Sequence, residues 1–122
     1  MKINKKELNI KKLLQSYSIE TTPNVYKKYG QFINLVPLDS SIYITYLPDE
    51  NYLNIVDTAK RLTDEGFQVI PHLPSRRMKD KSDLENYIGR LSEESGCKKI
   101  LVIGGEGKQK GEISSSLDVL KT

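Results

Sequence analysis

Five places in this chain carry side chains able to do chemistry, and each stands where an apolar run stops. Glu20 ends QSYSIE. Thr45 and Tyr46 fall near the end of SIYITYL. His72, the only histidine, closes FQVIPHL. Arg76 and Arg77 stand in the loop after it, and Gly104 and Gly105 close the run KKILVIGG, with Glu106 next. A carboxyl group with a raised pKa can hand over a proton near neutral pH. An imidazole beside it can steady negative charge on a ligand. The set could therefore form one pocket, provided the chain brings its members together. Each member also has a plainer reading. Glu20 could cap a neighbouring helix or bind a lysine, and His72 could be a hydrogen-bonded structural residue. Thr45 could be a β-former, the glycines could be turn residues, and the arginines could be surface charge. IGGEGKQKG is not the GxGxxG nucleotide fingerprint, and no acidic residue follows it about 20 positions on. The chain has no Walker sequence and no zinc-ligand pair.

The elements that would position these residues alternate. Residues 3–14 place Ile3, Leu8, Ile10, Leu13 and Leu14 among lysines, a short amphipathic helix. QSYSIE alternates polar and apolar residues and reads as a strand, broken by Thr21, Thr22 and Pro23. Residues 24–36 suit a helix through Val25, Tyr26, Tyr29, Phe32, Ile33 and Val36, stopped by Pro37. SIYITYL, residues 41–47, is rich in strand formers. Asp49 is placed to cap a helix through Tyr52, Leu53, Val56, Ala59 and Leu62 that ends at Gly66. FQVIPHL is the third strand. Pro71 has no N–H for a ladder, so it belongs at the strand's end or at a bulge. Ser82-Asp83-Leu84-Glu85 has the form of a capping box, with Leu84, Tyr87, Ile88 and Leu91 on one face behind it and Gly96 as the stop. The run Ile100 to Ile103 suits a strand covered on both faces. SSSLDVLKT opens a last helix, capped by Ser114 or Ser115.

The order is one helix, then four βα units, with strands roughly 25–30 residues apart, close to the spacing of a βαβ repeat. Such alternation predicts a parallel sheet with right-handed crossovers. Two architectures fit: a small open α/β sandwich, or half of a (β/α)8 barrel, which needs about 250 residues when whole. In either, chemistry collects at the carboxyl ends of the strands, where Glu20, Thr45, His72 and the Gly104-Gly105-Glu106 turn all fall.

The totals agree with a single domain over residues 1–122, with 1–15 as the N-terminal helix and 16–122 as the four units. The 122 residues are 37% hydrophobic and 29% charged, a globular balance. Neither a spanning segment nor a secretory h-region is present, which points to a cytoplasmic home and no membrane partner. The single cysteine, Cys97, forbids an internal disulfide, and no metal motif is seen. A net charge of +3, with lysines in clusters but no interleaved aromatics, gives no reason to expect nucleic acid.

The strand-end residues resemble the methylenetetrahydrofolate reductases, flavoproteins built on a (β/α)8 TIM-type barrel. That family's first strand ends in S-[FI]-E-x-x-P, and here Ser18-Ile19-Glu20-Thr21-Thr22-Pro23 stands. Its V-T-Y is matched by Ile44-Thr45-Tyr46, and its P-H-L by Pro71-His72-Leu73. Its R-G-D turn is matched by Gly104-Gly105-Glu106. The likeness runs in order from about residue 16 to 120.

The resemblance implies half of such a barrel. Glu20 would be the acid that protonates the folate. Thr45, His72, Gly104, Gly105 and Glu106 would meet the FAD, with Glu106 also near the pterin. The activity implied is reduction of a folate-bound one-carbon unit by NAD(P)H through the flavin. Either a second copy or a separate C-terminal half would complete the barrel. The alternatives are a flavin-free folate-binding module and a non-catalytic half-barrel fragment. The chain departs from the family at Gly104, where the family has arginine, at Glu106 in place of aspartate, and at Leu47-Pro48 in place of a glycine. Arg76 and Arg77 stand where smaller residues are usual and could replace the lost positive charge.

Overall fold

A computed structural model describes residues 4–14, 17–105, 108–113 and 115–122. Four strands, β1 (Ser18–Thr21), β2 (Ser41–Ile44), β3 (Gln68–Pro74) and β4 (Leu101–Ile103), form one sheet in the order β1-β2-β3-β4, every pair parallel. The helices are α1 (Lys5–Leu14), α2 (Pro23–Tyr29), α3 (Tyr52–Glu65), α4 (Lys81–Glu93) and α5 (Ser116–Lys121). The expected α/β class with a parallel sheet is what forms.

Sequential strand order with right-handed crossovers puts the connecting helices on one side of the sheet. The core follows that rule. Ile42, Ile44, Val69 and Leu73 from alternate strand positions pack with Tyr26 of α2, Ile55, Ala59 and Leu62 of α3, Leu84, Tyr87 and Leu91 of α4, and Val119 of α5. Burying each of the larger side chains contributes about 1.5–3 kcal/mol. The other set of alternate positions, which carries Glu20 and Tyr43, faces away from the helices.

Several boundaries differ from the sequence reading, each for a local reason. The helix expected over 24–36 stops at Tyr29. Gly30 takes φ 71 and its N–H bonds to the Tyr26 carbonyl, and a 3-10 turn at Phe32–Asn34 then buries Phe32. That α2 starts at Pro23 follows from Thr22, whose hydroxyl accepts from the Val25 amide. Asn51, not Asp49, caps α3, accepting from the Leu53 amide. Asp80 caps α4, so the helix begins ahead of the Ser82–Glu85 pattern. Asp83 turns back instead to accept from the Lys79 amide. Ser115 caps α5 with a reciprocal box to Asp118. Ile3, Ser16, Glu106 and Ser114 lie outside the described residues.

Pro71 sits neither at the end of β3 nor at a bulge. It falls inside the strand, at the step where the partner changes. Pairing with β2 ends at Pro71↔Ile44, and pairing with β4 begins at His72↔Leu101, so the missing N–H sits where one ladder hands over to the next. The expectation that β4 is covered on both faces fails: Leu101 is exposed, while Val102 and Ile103 are half-buried. An edge strand with helices on one side has one face and one edge left open. α1 buries none of its residues, and Leu8, Ile10, Leu13 and Leu14 remain exposed. Among the described residues no helix is long and apolar enough to cross a membrane.

Candidate functional site

The parallel register sets out the site. Glu20 on β1 lies opposite Tyr43 on β2, and Tyr43 lies opposite Ile70 on β3. His72 is two residues further along β3, so its side chain returns to the same face, beyond Ile70. The Glu20 carboxylate and the His72 imidazole therefore meet over the non-helical face, Oε1 to Nε2 at 4.0 Å. Tyr43 stands edge-on to the imidazole, with ring centres 6.2 Å apart.

The two partners differ sharply in environment. The His72 side chain is 8% exposed, and that of Glu20 is 67% exposed. Burial pushes the His72 pKa below its ordinary value, and the nearby Glu20 charge opposes this. Burial is the larger cause, so the imidazole is neutral near pH 7. A gap of 4.0 Å is too long for a hydrogen bond, and a neutral imidazole makes no salt bridge. Neither Nδ1 nor Nε2 of His72 has a hydrogen-bond partner. Buried polar atoms without partners are uncommon, and in a cleft they are what a ligand atom would satisfy.

The His72 backbone is held firmly. Its carbonyl accepts from the hydroxyl of Tyr87 on α4 at 2.8 Å. Tyr46 and Tyr52 pack edge-on against the Tyr87 ring, at 5.7 and 5.8 Å between centres. Burial pushes the Tyr46 and Tyr87 hydroxyls upward in pKa, with Arg77 pulling the other way at Tyr46.

A cleft of about 160 Å³ opens beside His72, between Thr45, Tyr46 and Pro48 after β2, Ile103 at the end of β4 and Gly105 just past it. Thr45 lies just past β2, not within it, and its amide still donates to the Thr21 carbonyl at 2.8 Å. Gly105 has φ 89, and a Cβ there would stand 2.7 Å from the Pro74 Cβ, so only glycine fits. Gly104 does not line the cleft. Its carbonyl accepts the Arg76 amide at 3.0 Å, which ties the loops after β3 and β4 together.

Of the residues singled out in the sequence, Glu20 and His72 are brought together, and Thr45, Tyr46 and Gly105 border the same cleft. Gly104 stands aside as a loop tie, and Glu106 lies outside the described residues. Tyr43 was not singled out. The alternation Ile42-Tyr43-Ile44 already placed it on the face opposite the core, but attention to strand ends passes over a mid-strand residue.

A larger cleft, about 550 Å³, lies away from these residues, between α2 and α3. Four of its polar groups already pair with one another or with backbone. Glu65 accepts from the Tyr26 hydroxyl and the Ile33 amide, and Arg61 pairs with Asp57 at 3.0 Å. It is a joint between elements, and volume alone does not make it the better site. Cys97 is half-buried, and burial pushes its thiol up to about 11, so it is not a reactive thiolate at neutral pH. Among the described residues no group of His, Cys, Asp and Glu could hold a metal ion.

Compared with models of known protein families, the chain matches none.

Proposed function

We infer that this chain works as a methylenetetrahydrofolate-reductase-like protein, reducing a folate-bound one-carbon unit with electrons from NAD(P)H through FAD. The same reading takes the sheet as half of a (β/α)8 barrel, its non-helical face turned toward the barrel interior. The remaining units would come from a second copy or a separate C-terminal half. The observation that carries the reading is the meeting of Glu20 with an unpartnered, buried His72, at the strand ends where the motif likeness expects acid and flavin contacts.

The residues fit one wall of a flavin site. His72 offers unpaired nitrogens, Thr45 borders the cleft, and Gly105 leaves room for close approach. A bound flavin would relay hydride from the nicotinamide to the one-carbon unit, while the protein supplies position and field. Glu20, largely exposed beside His72, would pass a proton to the folate nitrogen as the ring opens. His72, buried and with both ring nitrogens unpartnered, would donate a hydrogen bond to negative charge on a bound flavin.

A second reading, a flavin-free folate-binding module, is favoured by the size of the cleft. About 160 Å³ is below the roughly 300–1,000 Å³ of most small-molecule sites, and Gly104 replaces the family's arginine. An absorbance spectrum of the purified protein, followed by titration with FAD and with tetrahydrofolate, separates the two. Flavin bands on the protein and folate reduction lost in Glu20→Gln, with flavin reduction by NAD(P)H retained, support the first. Colourless protein that binds tetrahydrofolate but not FAD supports the second. Binding of neither ligand overturns both.

A further inference from the structure

Helix α1 stands outside the core. It buries none of its residues, and none of them joins the core cluster. Local signals hold it. The Asn4 side chain accepts from the Glu7 amide at 2.8 Å. Glu7 stands in the first turn and Lys11 and Lys12 in the last, each complementing the helix dipole. A helix of 10 residues with no packed face is marginal in water. Yet Leu8, Ile10, Leu13 and Leu14 are all exposed, Leu13 at 76% and Leu14 at 59%. Ile10, Leu13 and Leu14 are spaced i, i+3, i+4, so they share one side of the helix. A shallow groove along α1 is lined by Ile10 and Leu13, with Lys5, Lys6 and Asn9 around them.

Charge is segregated onto the same segment. Residues 1–14 carry five lysines against Glu7, a net +4, whereas the rest of the chain carries fourteen basic and fifteen acidic side chains, a net −1. The +3 of the whole chain therefore resides here. Among the described residues none of Lys5, Lys6, Lys11 and Lys12 is in an ion pair. An apolar strip with unpaired lysines beside it matches a surface that is anionic outside and apolar beneath. A protein partner fits less well. A helix about 15 Å long with three apolar side chains in line falls far short of the roughly 1,200–2,000 Å² that a stable protein pair buries. Two copies joined through this face would set four lysines against four.

We propose that α1 lies on an anionic lipid surface, in the plane of the headgroups, with Ile10, Leu13 and Leu14 entering the acyl boundary and the lysines meeting the headgroup anions. Lysine stems bury along apolar surface while their ammonium heads stay in water, which suits Lys5 and Lys6 beside Ile10 in the groove. A short amphipathic helix and a basic cluster each bind such a surface weakly, and together they give reversible attachment. The expectation of no membrane partner rested on the lack of a spanning segment, and an interfacial helix needs none. The attachment uses no residue of the cleft beside His72, so it stands apart from the folate reading.

The test is co-sedimentation of the full chain with vesicles of phosphatidylcholine, alone or mixed with phosphatidylserine, together with the amide signals of Lys5–Leu14 in the ¹⁵N-labelled chain. The mixed vesicles should bind the chain and broaden those amides first, and the neutral ones should bind at least about tenfold more weakly. Raising the salt from about 0.05 to 0.5 M should weaken binding severalfold. Lys11→Glu with Lys12→Glu should weaken it by roughly thirtyfold or more. Leu13→Ser with Leu14→Ser, which leaves the charge intact, should also weaken it. Since α1 buries nothing, both double variants should melt at the wild-type temperature. Absence of binding, equal binding to the two kinds of vesicle, or binding that either double variant leaves intact would each overturn the proposal. So would association of the chain with itself, or with an acidic amphipathic peptide, through the same amides and more tightly than with the mixed vesicles. No folate or flavin enters the experiment, so its outcome leaves that reading to its own titration.

Discussion

The hydroxyl of Tyr87 on α4 donates to the backbone carbonyl of His72 on β3, so a helix side chain fixes the strand at the residue where the site begins. Tyr87 is 1% exposed. Replacing it by phenylalanine keeps the ring and its edge-on contacts with Tyr46 and Tyr52, and takes the hydroxyl donor away from a buried acceptor. Tyr87→Phe should therefore cost about 1–3 kcal/mol, read as a lower midpoint in urea with an unchanged slope. A change in midpoint under about 0.3 kcal/mol equivalent would mean that the bond contributes nothing.

The pH dependence has a definite sign. Folding lowers the His72 pKa below its ordinary 6.5 because the imidazole is buried. As pH falls below about 6.5 the unfolded chain takes up a proton that the folded chain resists, so stability present above that pH is lost below it. Melting of the wild type should fall between pH 7 and 5 more steeply than that of His72→Asn. As the only histidine, His72 gives a unique imidazole proton signal by NMR. Its midpoint should lie below 6.5, and lower still in Glu20→Gln, because the Glu20 charge is what holds it up. A midpoint at or above 6.5 would contradict the burial argument.

Much of this geometry could be read from residue order. Apolar runs ending in Glu20, Thr45 and His72, at βαβ spacing, were enough to place three side chains on one rim, because a parallel register aligns successive strand ends. What the sequence concealed was competition between local signals. Ser82–Glu85 has the outward form of a capping box, yet Asp80 reaches the helix first and Asp83 is spent on Lys79. Pro71 argues against a central strand until the change of partner at that step is seen. The exposure of Leu101 was hidden for a different reason: an apolar triplet looks the same on an edge strand as in the middle of a sheet.

Glu65 makes a further test away from the site. Its two oxygens hold the Tyr26 hydroxyl and the Ile33 amide, joining α2 and the Phe32–Asn34 turn to α3. Burial, reinforced by Glu65, pushes the Tyr26 hydroxyl up to about 12. Glu65→Ala should destabilise the fold by about 1–3 kcal/mol and let Tyr26 titrate at lower pH, seen in the ultraviolet absorbance of phenolate. Glu65→Gln, which keeps an acceptor, should lose less. Equal losses in the two variants would show that the hydrogen bonds are not what matters there.

The adjacent glycines separate backbone need from side-chain absence. Gly104 has an ordinary φ, and nothing lies within 4 Å of a Cβ built on it, whereas Gly105 has φ 89 and Pro74 against it. Gly104→Ala should change stability by less than about 0.5 kcal/mol. Gly105→Ala must enter the left-handed region and push on Pro74, at a cost of about 1–3 kcal/mol. Since Gly105 borders the cleft and Gly104 does not, the same pair also tests the resemblance. Gly104→Arg introduces the side chain that the resembled family carries, at a position with room for it, so the variant should fold as well as the wild type and, under the proposed flavin reading, bind FAD more tightly. If it folds and FAD affinity does not rise, the missing arginine is not what weakens flavin binding, and the match between Gly104-Gly105-Glu106 and the family's R-G-D turn loses its force.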